Sequence, residues 1–224
     1  MSYCREKFRS MSKFVTIGSS TLHLGDCREI LPSIGAVSAV VTDPVWPNCP
    51  PGMLAGSDEP WLLFASAMLL VDASAVVVVL GFDSDPRFLT GVPGRFPFIR
   101  SQQLPYAYPS YRGRLLGGDE MAYAFGTIPR GRGVIPGRAR TVASNKRSRA
   151  TGHPSPRADD HMTQLCGWWS ADGTVLDPFM GTGATGVGAI AAGRDFIGIE
   201  INPEYFDIAC ERIDKAHAQY RLFA

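Results

Sequence analysis

The sequence predicts a single α/β domain built on a mostly parallel, doubly wound sheet that is interrupted by a basic insertion. Three observations carry this expectation. Short apolar runs end on acidic residues, as Thr21–Leu24 does before Gly25-Asp26 and Val37–Thr42 does before Asp43-Pro44. These runs alternate with stretches of helical spacing, the rhythm of parallel strands covered on both faces. Near the end of the chain a glycine turn, Met180-Gly181-Thr182-Gly183, joins a short apolar run to a stretch of small residues. A length of 224 residues with 45% hydrophobic content fits one substantial core.

Taken in order, residues 1–14 form a polar, patternless N-terminal arm, and residues 14–86 hold the first strand and helix alternation. Strands are expected at Thr21–Leu24 and Val37–Thr42, each delivering an acid at its C-terminal end. Glu59 to Val71 follows with helical spacing of Trp61, Leu62, Phe64, Ala65 and Leu69, and Ala75–Leu80 is a β-branched run. Residues 87–152 change texture toward glycine, proline, arginine and tyrosine, with Met121–Phe125 the one good strand candidate. This part reads as an insertion that orders fully only on a partner, Ile128 to Ala150 being its least core-like stretch. Alternation resumes in residues 153–224, with a strand at Thr174–Leu176, a helix at Ala184–Ala192 closed by Gly193, and a strand at Phe196–Glu200. The last helix starts with Asn202 as cap and Pro203 in its first turn, where a missing amide donor costs nothing.

Charge divides the chain. From Arg87 to Arg157 there are thirteen basic residues and two acids, a net +11, while the remainder has nine basic and nineteen acidic residues, a net −10. Such asymmetry marks one side of the molecule for a polyanion, against the plain alternative of a solvated basic loop. Five cysteines, widely spaced and odd in number, point to a reduced cytoplasmic protein and offer no zinc-binding pair. No apolar run approaches the roughly 20 residues of a membrane span, and the N-terminus has no signal-peptide core. No metal site and no membrane partner are expected.

The turn after the Thr174–Leu176 strand brings Asp177, Phe179, Gly181, Thr182 and Gly183 to a helix N-terminus. Glycines there let a ligand approach the backbone, and the first helical amides lack internal acceptors. About twenty residues on, Glu200 ends the next strand, where a carboxylate can accept hydrogen bonds from ribose hydroxyls. The third glycine of a dinucleotide fingerprint is absent from its usual spacing, so the ligand reads as a mononucleoside.

These motifs carry a family resemblance. Leu176-Asp177-Pro178-Phe179-Met180-Gly181-Thr182-Gly183 followed by Phe196-Ile197-Gly198-Ile199-Glu200-Ile201 resembles the S-adenosylmethionine-binding portion of DNA amino-methyltransferases. His153-Pro154-Ser155-Pro156-Arg157 is similar to the element that precedes this turn in the permuted, beta-type subgroup, with Arg157 in place of lysine and Ala158 in place of proline. Leu22–Cys27 together with Val40-Val41-Thr42-Asp43-Pro44 resembles that subgroup's N-terminal signature. The likeness covers about two thirds of the chain, misses the basic insertion, and implies a Rossmann-like methyltransferase fold.

It also implies roles. Asp43 and the Pro44 carbonyl would accept the protons of an exocyclic amine, and Trp46 would offer a flat face to a base swung out of its helix. Related chains carry a second proline where Val45 stands here. Asp26, Asp177, Phe179, Gly181, Thr182, Gly183, Glu200 and Asn202 would bind S-adenosylmethionine, with N-capping of the following turn the alternative for Asp26. Aspartate rather than serine before Pro44 tilts the target toward adenine N6, with cytosine N4 the alternative and a non-catalytic nucleic-acid binder another. The insertion lies where the family places target recognition, so Arg112, Arg114, Arg130, Arg132, Arg138, Arg140, Lys146, Arg147 and Arg149 are the expected DNA contacts, with Tyr106, Tyr108 and Tyr111 interleaved. The insertion is short for a whole recognition domain, which makes a homodimer one way to grip a duplex.

Overall fold

Valine and alanine runs build the centre of the sheet, and a polar strand builds one of its two edges. A computed structural model describes residues 14–107, 110–112, 115–131, 133–142 and 157–223. Its strands are β1 (Phe14–Ile17), β2 (Ser20–Leu24), β3 (Val37–Thr42), β4 (Ala73–Leu80), β5 (Phe98–Leu104), β6 (Ser110–Arg112), β7 (Leu115–Gly117), β8 (Glu120–Gly126), β9 (Val175–Asp177) and β10 (Phe196–Glu200). The helices are α1 (Cys27–Ile30), α2 (Pro60–Leu70), α3 (Asp159–Trp169), α4 (Ala184–Ala191) and α5 (Pro203–Phe223). Eight strands form one sheet in the order β1-β2-β10-β9-β3-β4-β8-β5, with β6 and β7 a separate hairpin. Strands β2, β10, β9, β3 and β4 run parallel, while β1 and β8 run against their neighbours.

Alternation along β3 and β4 feeds two apolar layers. Ala39, Val41, Val77 and Val79 face the layer that holds α3, α4 and α5, and Val40, Val76 and Val78 face the one that holds α2. Burial on both faces removes the polar positions that usually mark a strand's exposed side. In α2 the buried residues are Pro60, Phe64, Ala67 and Met68, whereas Trp61, Leu62 and Leu69 are exposed. The expected face of that helix is therefore rotated, because a segment apolar on every side carries no directional pattern. Arg95 closes its C-terminal end by donating to the carbonyls of Met68, Leu69 and Val71 at 3.1, 3.1 and 2.9 Å.

The segment expected to be an insertion contributes to the sheet itself. β8 pairs with β4 and β5 pairs with β8, both antiparallel. β5 escapes the sequence pattern because it is Phe-Ile-Arg-Ser-Gln-Gln-Leu, polar in four of its seven positions. One of those polar residues is fully buried for a reason outside the strand: the Gln102 carboxamide accepts from Trp169 Nε1 at 2.6 Å and donates to the Pro136 carbonyl at 2.6 Å. Trp169 is thus a core residue, 1% exposed. The backbone of 137–142 runs beside β5, with Ala139 N donating to Gln103 O at 2.8 Å and Val142 N to Pro105 O at 3.1 Å. That segment covers the polar edge of the sheet.

Candidate active site

β3 and β9 are adjacent and parallel, with Ala39 opposite Val175 and Val40 opposite Leu176. From β9 the chain winds through α4 to β10 on one side, and from β3 through α2 to β4 on the other. Strand order reverses between them, and the crevice outside such carboxyl ends is where open α/β sheets take ligands. Here a crevice of about 340 Å³ holds Asp43, Pro44 and Trp46 from the β3 end together with Phe179, Gly181, Thr182, Glu200 and Asn202 from the β9 and β10 ends. Residues more than 130 positions apart in sequence meet across one hydrogen bond, Thr42 Oγ1 to Asp177 Oδ1 at 2.7 Å.

On the glycine-turn side, Asp177 lies beneath the crevice and is 1% exposed. Its carboxyl also accepts from the Phe179 amide at 3.0 Å, so it holds the turn from below. Burial pushes its pKa up to about 6, with the Thr185 and Thr42 hydroxyls and the Phe179 amide pulling back. Gly181 and Gly183 have φ of +52° and +84°, a region that disfavours any side chain. Gly183 starts α4 and packs on Ala209 behind the crevice, where an added Cβ would sit 3.1 Å from the alanine methyl. Glu200 accepts from the Gly181 amide at 2.9 Å and the Asn202 amide at 2.7 Å, and burial raises its carboxyl against those bonds. Asn202 caps α5 by accepting from Glu204 N at 2.8 Å. Thr182 is buried, and its carbonyl accepts from Arg212 Nη1 at 2.6 Å. Asp26 lines the crevice while capping α1 through Arg28 N at 2.8 Å and pairing with the Arg28 guanidinium, which lowers its pKa.

On the other side, Asp43 Oδ1 accepts from Trp46 Nε1 at 2.8 Å and Oδ2 accepts from Arg157 Nε. Trp46 Nε1 also points at the Val79 carbonyl, 3.2 Å away. Its six-membered ring packs on Gly81, where an added Cβ would lie 2.4 Å from Cζ3. The Arg157 Cζ stands 4.1 Å from the Trp46 ring centroid. The indole is thus braced as a wall of the crevice as well as offering a surface to it. Arg157 reaches further, donating through Nη1 to Glu120 Oε1, and Glu120 Oε2 accepts from the Tyr106 hydroxyl at 2.9 Å. Burial alone would lower the Arg157 pKa, but Asp43 and Glu120 outweigh it and raise it. Burial raises the Glu120 carboxyl, with Arg157 and Tyr106 opposing.

Arg157, Glu120, Tyr106 and Thr42 take part in this site in roles that the sequence does not assign them, Tyr106 having been expected among the DNA contacts. Arg157 carried a signal as the last residue of the His153–Arg157 element, and Thr42 stands within the Val40–Pro44 signature. Of the expected nucleic-acid contacts, Arg130, Arg138 and Arg140 are exposed, and Arg112 lies on β6. Arg114, Arg132, Lys146, Arg147, Arg149 and Tyr108 lie outside the described residues. Among the described residues no cluster of histidine, cysteine or carboxylate could hold a metal, and no helix is long and apolar enough to cross a membrane.

Comparison with known proteins places this geometry. A family model described as DNA methylase matches residues 140–211. The DNA adenine methyltransferase YhdJ of Escherichia coli K12 is 60% identical over 42 residues, which are 19% of this chain and 14% of that protein. The crystal structure of the M1.HpyAVI–SAM complex superposes with a TM-score of 0.68 at 23% identity, covering 87% of this chain and 99% of that one. PvuII DNA methyltransferase, described as cytosine-N4-specific, gives a TM-score of 0.64 at 18% identity over 92% of this chain and 93% of its own. The chain therefore has the Rossmann-like methyltransferase fold, and it resembles the amino-methyltransferase family.

Proposed function

We propose that this chain, which resembles the amino-methyltransferases, moves a methyl group from S-adenosylmethionine to the exocyclic N6 amine of adenine in DNA. The observation that carries the proposal is the meeting of Asp43 and the Gly181 turn in one crevice at the switch point of the sheet. The lining fits the cofactor. Glu200 and Asp26 are carboxylates suited to ribose hydroxyls and a cationic ligand, the positive φ of Gly181 clears the backbone for close approach, and Phe179 and Ile201 offer apolar surface to a purine. When bound, S-adenosylmethionine supplies an electrophilic methyl group on a sulfonium centre.

The residues of the chain do the rest. An exocyclic amine is a poor nucleophile because its lone pair is delocalised into the ring, and acceptors for its protons turn that density outward. Asp43 supports this role because it lines the crevice as a carboxylate held in place by Trp46 and Arg157. Pro44, buried beside it, contributes a carbonyl with no competing amide of its own. The open part of Trp46 receives the extruded base, and the exposed arginines at 130, 138 and 140 meet phosphate.

Adenine is favoured by the aspartate at position 43 and by the similarity to a relative described as an adenine methyltransferase. A structural likeness to a cytosine-N4 enzyme supports the second reading, in which the same crevice serves cytosine. The test is transfer of radiolabelled methyl from S-adenosylmethionine to duplex DNA, single-stranded DNA and RNA, with mass spectrometry of the product nucleosides. N6-methyl-2′-deoxyadenosine from DNA is the expected product. N4-methylcytosine would select the second reading, and no transfer to any nucleic acid would overturn both. Asp43→Ala is expected to keep cofactor binding and lose at least about 100-fold in transfer.

A further inference from the structure

We propose that Arg157 is the positioning residue of this site: one buried guanidinium sets the orientation of the Asp43 carboxylate and the Trp46 indole, and Glu120 with Tyr106 sets the guanidinium. The inference rests on the methyl-transfer reading above and adds residues to it.

Geometry carries the argument. Arg157 is 8% exposed, so its charge must be met by protein groups. Different nitrogens of the same planar group reach different carboxylates, Nε on Asp43 and Nη1 on Glu120, and the group also lies over the Trp46 ring. Three partners in three directions leave the guanidinium one placement. Through it, Asp43 keeps one rotamer, with Oδ1 against Trp46 Nε1, Oδ2 against Arg157 Nε and the plane of the carboxylate fixed in the crevice. Acceptor direction is what amine activation depends on, since a misplacement of about 1 Å can cost about 100-fold in rate.

Lysine could not do the same. Its ammonium is a single point of charge, able to sit near one carboxylate without a planar face to lay on an indole. The anchor of the cluster comes from the 87–152 segment: Glu120 opens β8, and Tyr106 follows β5 with its amide bonded to Asp119 Oδ1 at 3.1 Å. The segment that carries the exposed arginines is thus joined to the proposed catalytic acid through one side chain.

The experiment pairs kinetics with a spectroscopic readout in the full chain. Indole ¹⁵N labelling gives one resonance for each tryptophan, and Trp46→Phe identifies that of Trp46. In Arg157→Gln the Trp46 resonance is expected to move while that of Trp169, bonded to Gln102, stays in place and reports an intact fold. In the same variant kcat is expected to fall about 100-fold with the cofactor and DNA dissociation constants within about twofold of wild type. Arg157→Lys is expected to recover part of kcat and little of the Trp46 shift. Tyr106→Phe, a milder change, is expected to shift Trp46 in the same direction and lower kcat about threefold. If Arg157→Gln fails to fold, Tyr106→Phe decides the matter by the same two readouts. An unmoved Trp46 resonance, an unchanged kcat, or a loss confined to cofactor affinity would overturn the inference. Absence of methyl transfer in the wild type would instead overturn the proposed function, and the Trp46 resonance would still show whether Arg157 holds the ring.

Discussion

Asp177 shows how a single buried acid is exposed to pH. Its carboxyl is enclosed at the end of β9, and burial raises its pKa from 3.8 to about 6. The sign follows from linkage: the folded state keeps this proton where the unfolded chain has already released it. The group therefore favours folding below its unfolded pKa, and that contribution fades as pH rises through about 6. Above that point the ionised carboxyl costs about 3 kcal/mol. Asp177→Asn keeps an acceptor for the Thr42 hydroxyl and the Phe179 amide and does not titrate. Relative to wild type, the variant is expected to gain stability between pH 4 and pH 7, by up to about 3 kcal/mol, in urea unfolding at matched pH values. A pH-independent difference would refute this account of Asp177. The residues legible in the sequence, Asp43, Trp46, Gly181 and Glu200, each sit at a strand end or in the turn that follows it. Glu120 and the partners of Arg157 were hidden because their chemistry exists only across the fold: Arg157 lies 114 positions from Asp43 and 37 from Glu120.

At the level of elements, α3 and α4 pack closely because of one glycine. A Cβ added at Gly188 would lie 2.6 Å from Met162 C and 2.6 Å from Thr163 N, both backbone atoms of α3. Backbone cannot rotate away as a side chain can, so the helices must part. Gly188→Ala is expected to destabilise the fold by about 1–3 kcal/mol despite its better helix propensity. Gly167→Ala in α3 is the control, since its added methyl meets only the Ala192 Cβ at 3.9 Å. That variant is expected to match or exceed wild type by up to about 1 kcal/mol. The denaturation midpoints are expected in the order Gly188→Ala, wild type, Gly167→Ala, and a reversal of the two variants would reject close backbone packing as the cause. Element by element, the valine-rich β3 and β4 and the capped α5 were legible because their pattern is local. β5 was not, because its buried Gln102 is polar by composition and satisfied only by Trp169 and Pro136 from distant parts of the chain.

Across the whole molecule the separation of charge has a structural counterpart. Ala139 is buried and bonded through its amide to Gln103 O, and the alternation of extended chain turns Arg138 and Arg140 to the outside on either side of it. Arg140 is further held by its backbone, with its amide donating to Gln164 Oε1 at 2.8 Å and its carbonyl 3.2 Å from His161 Nε2. A basic pair on an anchored backbone gives up less conformational freedom on meeting a phosphate chain than one on a free loop. If both reach phosphates of a duplex, each contributes about −0.9 to the slope of log affinity against log salt. Replacing both by alanine is expected to make that slope shallower by about 1.8 and to weaken binding evenly across DNA sequences. Cofactor affinity is expected to stay unchanged, because neither residue lines the crevice. Filter binding or fluorescence anisotropy between 50 and 300 mM salt measures the slope. An unaltered slope would show that these two side chains face away from the phosphates, and would move the nucleic-acid footprint elsewhere on the basic segment.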